Sequence, residues 1–147
     1  MLLLKAAHVL LAVIALGGSL TFPIWRRRAE LAPDQLAFTL RGIRWIDRRV
    51  VIPAYALQLV TGVALALAGG IPLTAGWLVA SVALYAGAMA IGIAVLGPAG
   101  RRQLALVDSG DTATAEYRRL DRLTRRAELV AVAAVVAIAG LMVLKPF

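Results

Sequence analysis

Residues 50–97 read VVIPAYALQLVTGVALALAGGIPLTAGWLVASVALYAGAMAIGIAVLG, a stretch without a single charged side chain. Its one interruption is GGIPL at Gly69–Leu73, where Gly and Pro stop one helix and start the next. Each half has about the 20 apolar residues that a helix needs to cross a bilayer. Two antiparallel membrane spans joined by a short turn, 50–69 and 73–97, are therefore expected.

Outward from this pair the same character recurs. Residues 2–25, LLLKAAHVLLAVIALGGSLTFPIW, and 127–144, AELVAVAAVVAIAGLMVL, are each long and apolar enough for a further span. The whole chain is 61% hydrophobic with a mean hydropathy of +0.84, beyond an ordinary soluble domain. The fold class is then all-α: a polytopic membrane protein, one four-transmembrane-helix bundle over residues 1–147.

The charge is as segregated as the hydropathy. There are 16 Lys and Arg against 8 Asp and Glu, with a pI near 11.3. Residues 26–49 hold seven arginines and three acids, and residues 101–126 hold seven arginines and four acids. A high pI in a soluble chain would raise nucleic-acid binding, but charge confined to two blocks between spans reads as the loops of a membrane protein, with no nucleic-acid partner. Arginine-rich loops stay in the cytoplasm. Both termini and the GGIPL turn then face the other side, an N-out/C-out tetraspan of the inner (cytoplasmic) membrane. The first span is not a cleaved leader, because its positive charge, Arg26–Arg28, follows the apolar run.

The basic loops carry helical patterning. Leu36, Leu40, Ile43 and Trp45/Ile46 recur at helical spacing behind a Pro33–Asp34 start. In the second loop an N-cap at Asp111 or Thr112 would begin a helix that runs unbroken into the fourth span. The Arg pairs at 48–49, 101–102, 118–119 and 125–126 suit anionic lipid headgroups; an acidic partner is the other occupant they fit. Each half follows the same plan of span, basic loop, span, consistent with two packed hairpins.

Chemistry-bearing residues are few. With no Cys and one His, disulfides, iron–sulfur clusters, Cys/His zinc sites and paired-histidine hydrolases are excluded within one chain. No acid–base–nucleophile set appears in the spans, which disfavours a hydrolase. The one histidine, His8, lies inside the first span, where an ionisable group is costly and a candidate for function. Ala12, Ala15 and Ser19 follow it at helical spacing, a small-residue face of the kind on which membrane helices pack, while Leu10, Val13 and Leu20 fall elsewhere. His8 should face the bundle interior, roughly 9 Å from the outer end of its span. Gln58, Thr61, Ser81 and Met142 all fall in that outer half.

Two roles are open to His8. It can be a packing residue that hydrogen-bonds a neighbouring Gln or Thr, or it can be a ligand. Imidazole suits haem or copper, Met142 is a soft partner for either, and a four-helix bundle is a natural container for a flat cofactor. Gln58 and Thr61 are interhelical glue in the first case and orienting groups for His8 in the second.

Three stretches carry a resemblance: LKAAHVL with Gly-Gly nine residues after the His, the P-x-x-x-x-Q-x-x-T-G of Pro53, Gln58, Thr61 and Gly62, and the terminal M-V-x-K-P of Met142, Lys145 and Pro146. Together they resemble a family of small integral membrane proteins of bacteria of unassigned function, and the match runs the length of the chain. The first span is also similar to the start of CopD-like copper-resistance domains and of haem-type protoporphyrinogen oxidases, which place a His early in their first span. That similarity implies a haem or copper site at His8. This chain departs from those proteins in having no second His, so a bis-His haem within one chain is impossible. Met142 or another weak ligand, or a second chain in a homodimer, would have to complete the site.

The leading expectation is a small membrane haem-binding or redox protein with His8 and Met142 as ligands and Gln58 and Thr61 beside them. The alternative is a non-enzymatic tetraspan that organises a partner membrane protein or passes a small solute.

Overall fold

The computed structural model describes residues Met1–Lys145; Pro146 of the terminal motif lies outside the described residues. All regular structure among them is helical: α1 Leu2–Glu30, a 3-10 turn at Pro33–Gln35, α2 Leu36–Ile46, α3 Ile52–Ala68, α4 Gly76–Ile91, α5 Gly97–Asp108 and α6 Ala115–Leu144. Five-residue π-turns, Asp47–Val51 and Gly92–Leu96, join α2 to α3 and α4 to α5. The chain therefore forms four continuous rods of 29, 36, 33 and 30 residues, each long and apolar enough to cross a membrane. At the α-helical rise they measure about 44–54 Å, well over the roughly 30 Å of a hydrocarbon core.

The excess length lies at the end that carries the arginines, so the basic segments are helices and not loops. There the end of α1, α2, α5 and the start of α6 make a small second bundle. Its core is Ala29, Leu36 and Leu40, packed against Leu104, Val107 and Tyr117. Arg41 bridges Asp108 at 2.7 Å and Arg102 bridges Glu116 at 2.6 Å across its surface. Leu36 and Leu40 are the buried positions of the helical pattern seen in the sequence, while Trp45 is 63% exposed. The α6 start differs from expectation. Asp111 is engaged in closing the turn after α5, its N–H donating to the Leu106 carbonyl behind Gly110 at φ 80°. The cap therefore falls to Thr114, whose hydroxyl accepts from the Tyr117 amide at 3.2 Å.

Both π-turns have the same cause. Pro53 and Pro98 stand two residues beyond their ends, and a proline inside a helix has no N–H and clashes with the carbonyl four residues back. The chain widens by one residue instead: the Ile52 amide reaches back to Asp47 and the Gly97 amide to Gly92. Each rod thus passes its proline without ending.

The rods form two hairpins, α1 against α3 and α4 against α6, joined where α1 meets α6 and α2 meets α5. No Cα of α3 comes within 8 Å of one in α4. What links these two is a pair of tyrosines: the Tyr85 hydroxyl donates to the Tyr55 carbonyl at 3.1 Å, with the rings edge to face at 6.4 Å. The ring of rods is thus tight at the basic end and open between α3 and α4.

Gly18 marks the closest approach of α1 to the first π-turn. A Cβ there would sit 2.6 Å from Val51 Cγ2, and Val51 is 2% exposed with a stiff χ1. Gly18→Ala should therefore destabilise the detergent-solubilised protein by about 1–3 kcal/mol. Gly17→Ala, with nothing within 4 Å of the new methyl, should be neutral; thermal unfolding of the two variants checks this.

Candidate functional site

Ala15 is fully buried and Leu10 and Val13 are exposed, so the small face of α1 turns inward and carries His8 toward α3. The half-buried imidazole packs on Gly62, where a Cβ would lie 3.1 Å from its Cε1. His8 Nδ1 is 2.9 Å from Thr61 Oγ1. That hydroxyl also lies 2.9 Å from the Leu57 carbonyl and 3.1 Å from the Gln58 carbonyl, and it has one proton to give. Directed at these carbonyls, the proton leaves the Thr61 oxygen to accept from His8. The imidazole is then the Nδ1–H tautomer, and its Nε2 lone pair is free. One turn of α3, T-G at Thr61–Gly62, thus supplies both the hydrogen-bond partner of Nδ1 and the close approach.

The other sequence candidates are placed differently. Gln58 contributes its backbone carbonyl to this arrangement; among the described residues its side chain makes no hydrogen bond within the protein. Ser81 is buried but donates to its own helix at Trp77, 2.7 Å away. Met142 is half-buried near the end of α6. The hydrogen bonds joining α1 to α6 are Arg26–Glu128 and Arg125–Glu30, at the far end of α1 from His8, so none of them draws Met142 and His8 together. No group of three or more His, Cys, Asp or Glu side chains is placed to hold a metal ion among the described residues.

A hydroxyl ladder runs below His8. Ser19 donates to the Ala15 carbonyl at 2.8 Å, Tyr55 donates to Ser19 at 3.0 Å, and Tyr85 donates to the Tyr55 carbonyl. It joins α1, α3 and α4.

A second polar cluster was not foreseen. At the basic end Arg26 is 8% exposed, with Nη2 donating to Glu128 Oε1 at 2.8 Å and Nη1 to Gln103 Oε1 at 3.1 Å. Gln103 and Thr124 are buried beside it. This ties α1, α5 and α6 together through one guanidinium. Arg125 next to it is held by Glu30 and by Asp121, and those hydrogen bonds raise its pKa so that it stays cationic. The sequence signal was present: Glu128 is the one acid in any of the four apolar stretches.

Comparison with known proteins assigns the chain plainly. It belongs to the family described as predicted integral membrane protein (DUF2269), whose model matches residues 2–146. No curated protein and no solved structure matches it.

Proposed function

We propose that this integral membrane protein is a small haem-binding redox protein in which His8 is an axial ligand through Nε2. The observation that carries the reading is the His8–Thr61 hydrogen bond. Ligating histidines characteristically donate their second ring N–H to a fixed acceptor, which sets tautomer and ring orientation and raises basicity. Here Thr61 is that acceptor and Gly62 is the seat of the ring.

His8 would hold the group through Nε2, with Thr61 fixing the ring. Haem would supply one-electron chemistry, and the chain's part is to orient the imidazole and keep it at the α1–α3 interface. A second ligand would come from Met142 or from another copy of the chain; with Met142, a copper ion is the alternative occupant of the same nitrogen. In this reading the basic end lies in the cytoplasm and both termini outside it.

A partner-organising tetraspan is the second reading. Leu31 and Phe38, 83% and 79% exposed, favour it, because they lie in the basic region beyond the apolar spans.

The test is an absorption spectrum of protein purified in detergent from haem-replete cells, before and after dithionite. A Soret band that shifts on reduction is expected, and His8→Ala should abolish it while helicity and monodispersity are kept. A flat wild-type spectrum, or an unchanged one in His8→Ala, would sink the proposal.

A further inference from the structure

The Arg26–Glu128 cluster has no part in the His8 reading and borders a cavity of its own. Between α1 and α6, at the basic end, a cavity of about 230 Å³ is lined by Pro23, Arg26, Arg27, Arg125, Glu128 and Leu129. Its lining is chemically graded along the helices. Pro23 and Leu129 lie on the apolar side, next to Ile24, and Leu129 and Ile24 are 65% and 61% exposed to what is lipid in the membrane. The guanidiniums lie on the charged side. The cavity thus straddles the level at which rods leave the hydrocarbon, where phospholipid phosphates sit.

Its hydrogen-bonding groups are incompletely used. Of the lining side chains, Arg26 Nε and Glu128 Oε2 are buried without a partner among the described residues. Among the described residues Arg27 makes no ion pair, and Arg125 spends only Nε and Nη2 on Asp121 and Glu30. A buried donor or acceptor left unmatched costs about 1–3 kcal/mol. Glu128 answers Arg26, and Glu30 and Asp121 answer Arg125. The unanswered charge on the cavity wall is that of Arg27, flanked by the spare N–H groups of the other two guanidiniums. This set favours an anion with several acceptor oxygens. The remaining Glu128 oxygen asks for something more, a donor on the same ligand.

We propose that this α1–α6 cavity binds the headgroup of an anionic glycerophospholipid that carries hydroxyl donors, of the phosphatidylglycerol type. The phosphate is held by Arg27, Arg125 and Arg26, the headgroup hydroxyl by Glu128, and the acyl chains leave past Pro23 and Leu129. Guanidiniums match phosphate in charge and fork geometry. A choline headgroup has the phosphate but no donor, and its net charge is zero. The site is therefore distinct from the diffuse attraction of exposed arginines to an anionic surface.

The full-length protein in detergent is titrated with phosphatidylglycerol and with phosphatidylcholine of the same acyl chains, and bound lipid is counted by native mass spectrometry. One phosphatidylglycerol should bind at least about tenfold more tightly than phosphatidylcholine. Arg27→Ala, which removes an exposed guanidinium with no structural partner, should lower that affinity about tenfold, the worth of one charge-assisted hydrogen bond. Arg119→Ala removes the same charge from the exposed start of α6 and should leave the affinity within about twofold, inside what a screened surface charge contributes. Equal affinity for the two lipids would overturn the proposal, as would equal losses in the two variants. Displacement of the lipid by equimolar inorganic phosphate would overturn it in favour of a free-anion site.

Discussion

Glu128→Ala should be the most damaging single substitution in the chain, lowering stability by about 3–5 kcal/mol. The reason is not that the ion pair contributes that much. Arg26 is 8% exposed, and Glu128 is the carboxylate that answers its charge; Gln103 offers it a neutral carbonyl at 3.1 Å. Removing the carboxylate leaves a guanidinium buried at the membrane boundary with its charge uncompensated. Replacing both partners with apolar residues removes the problem along with the pair, so Arg26→Met with Glu128→Leu should return to within about 1 kcal/mol of the wild type. Thermal unfolding in detergent, followed by circular dichroism, separates the two outcomes. If the double variant is as unstable as the single one, packing and not charge accounts for the loss.

The membrane part of this architecture was legible because hydropathy is a long-range signal. Four apolar stretches and two arginine blocks leave little choice about which helices sit in lipid, and the small face of α1 told where His8 would point. The basic segments were harder. The pattern at Leu36 and Leu40 showed a helix, but nothing in GPAGRRQLALVD announced that the third span continues to Asp108. The third span was expected to end at Gly97, and the π-turn that lets the helix pass Pro98 is a backbone adjustment with no side-chain signature. The same holds for Pro53, through which the second rod continues from α2 into α3.

The candidate site was legible in part for a similar reason. Thr61 and Gly62 lie beside His8 because two neighbouring spans run antiparallel, and equal depth then means proximity. The hydrogen bonds that join α1 to α6, Arg26–Glu128 and Arg125–Glu30, lie at the basic end, far along α1 from His8. The Arg26–Glu128 pair was hidden by its composition. Arg26 is one of sixteen basic residues and stands in a run of three, so only its burial against α5 and α6 distinguishes it.

Thr61→Val tests the His8 arrangement without presuming what His8 binds. The substitution keeps the shape of the side chain and removes the oxygen that accepts from Nδ1, which sits 2.9 Å away. His8 is the only histidine in the chain, so 15N-histidine labelling yields a single imidazole whose tautomer is read directly by NMR. The wild type should show the Nδ1–H form. Thr61→Val should lose that preference, and Thr61→Ser, which restores the hydroxyl, should recover it. If His8 ligates haem, Thr61→Val should also weaken haem affinity about 10- to 100-fold in a Soret titration, the usual consequence of removing the group that orients a ligating imidazole. A tautomer change without any change in haem affinity would leave the hydrogen bond intact as a packing feature and remove the ligand role. An Nε2–H wild type would refute both, because the nitrogen offered to a metal would already carry a proton.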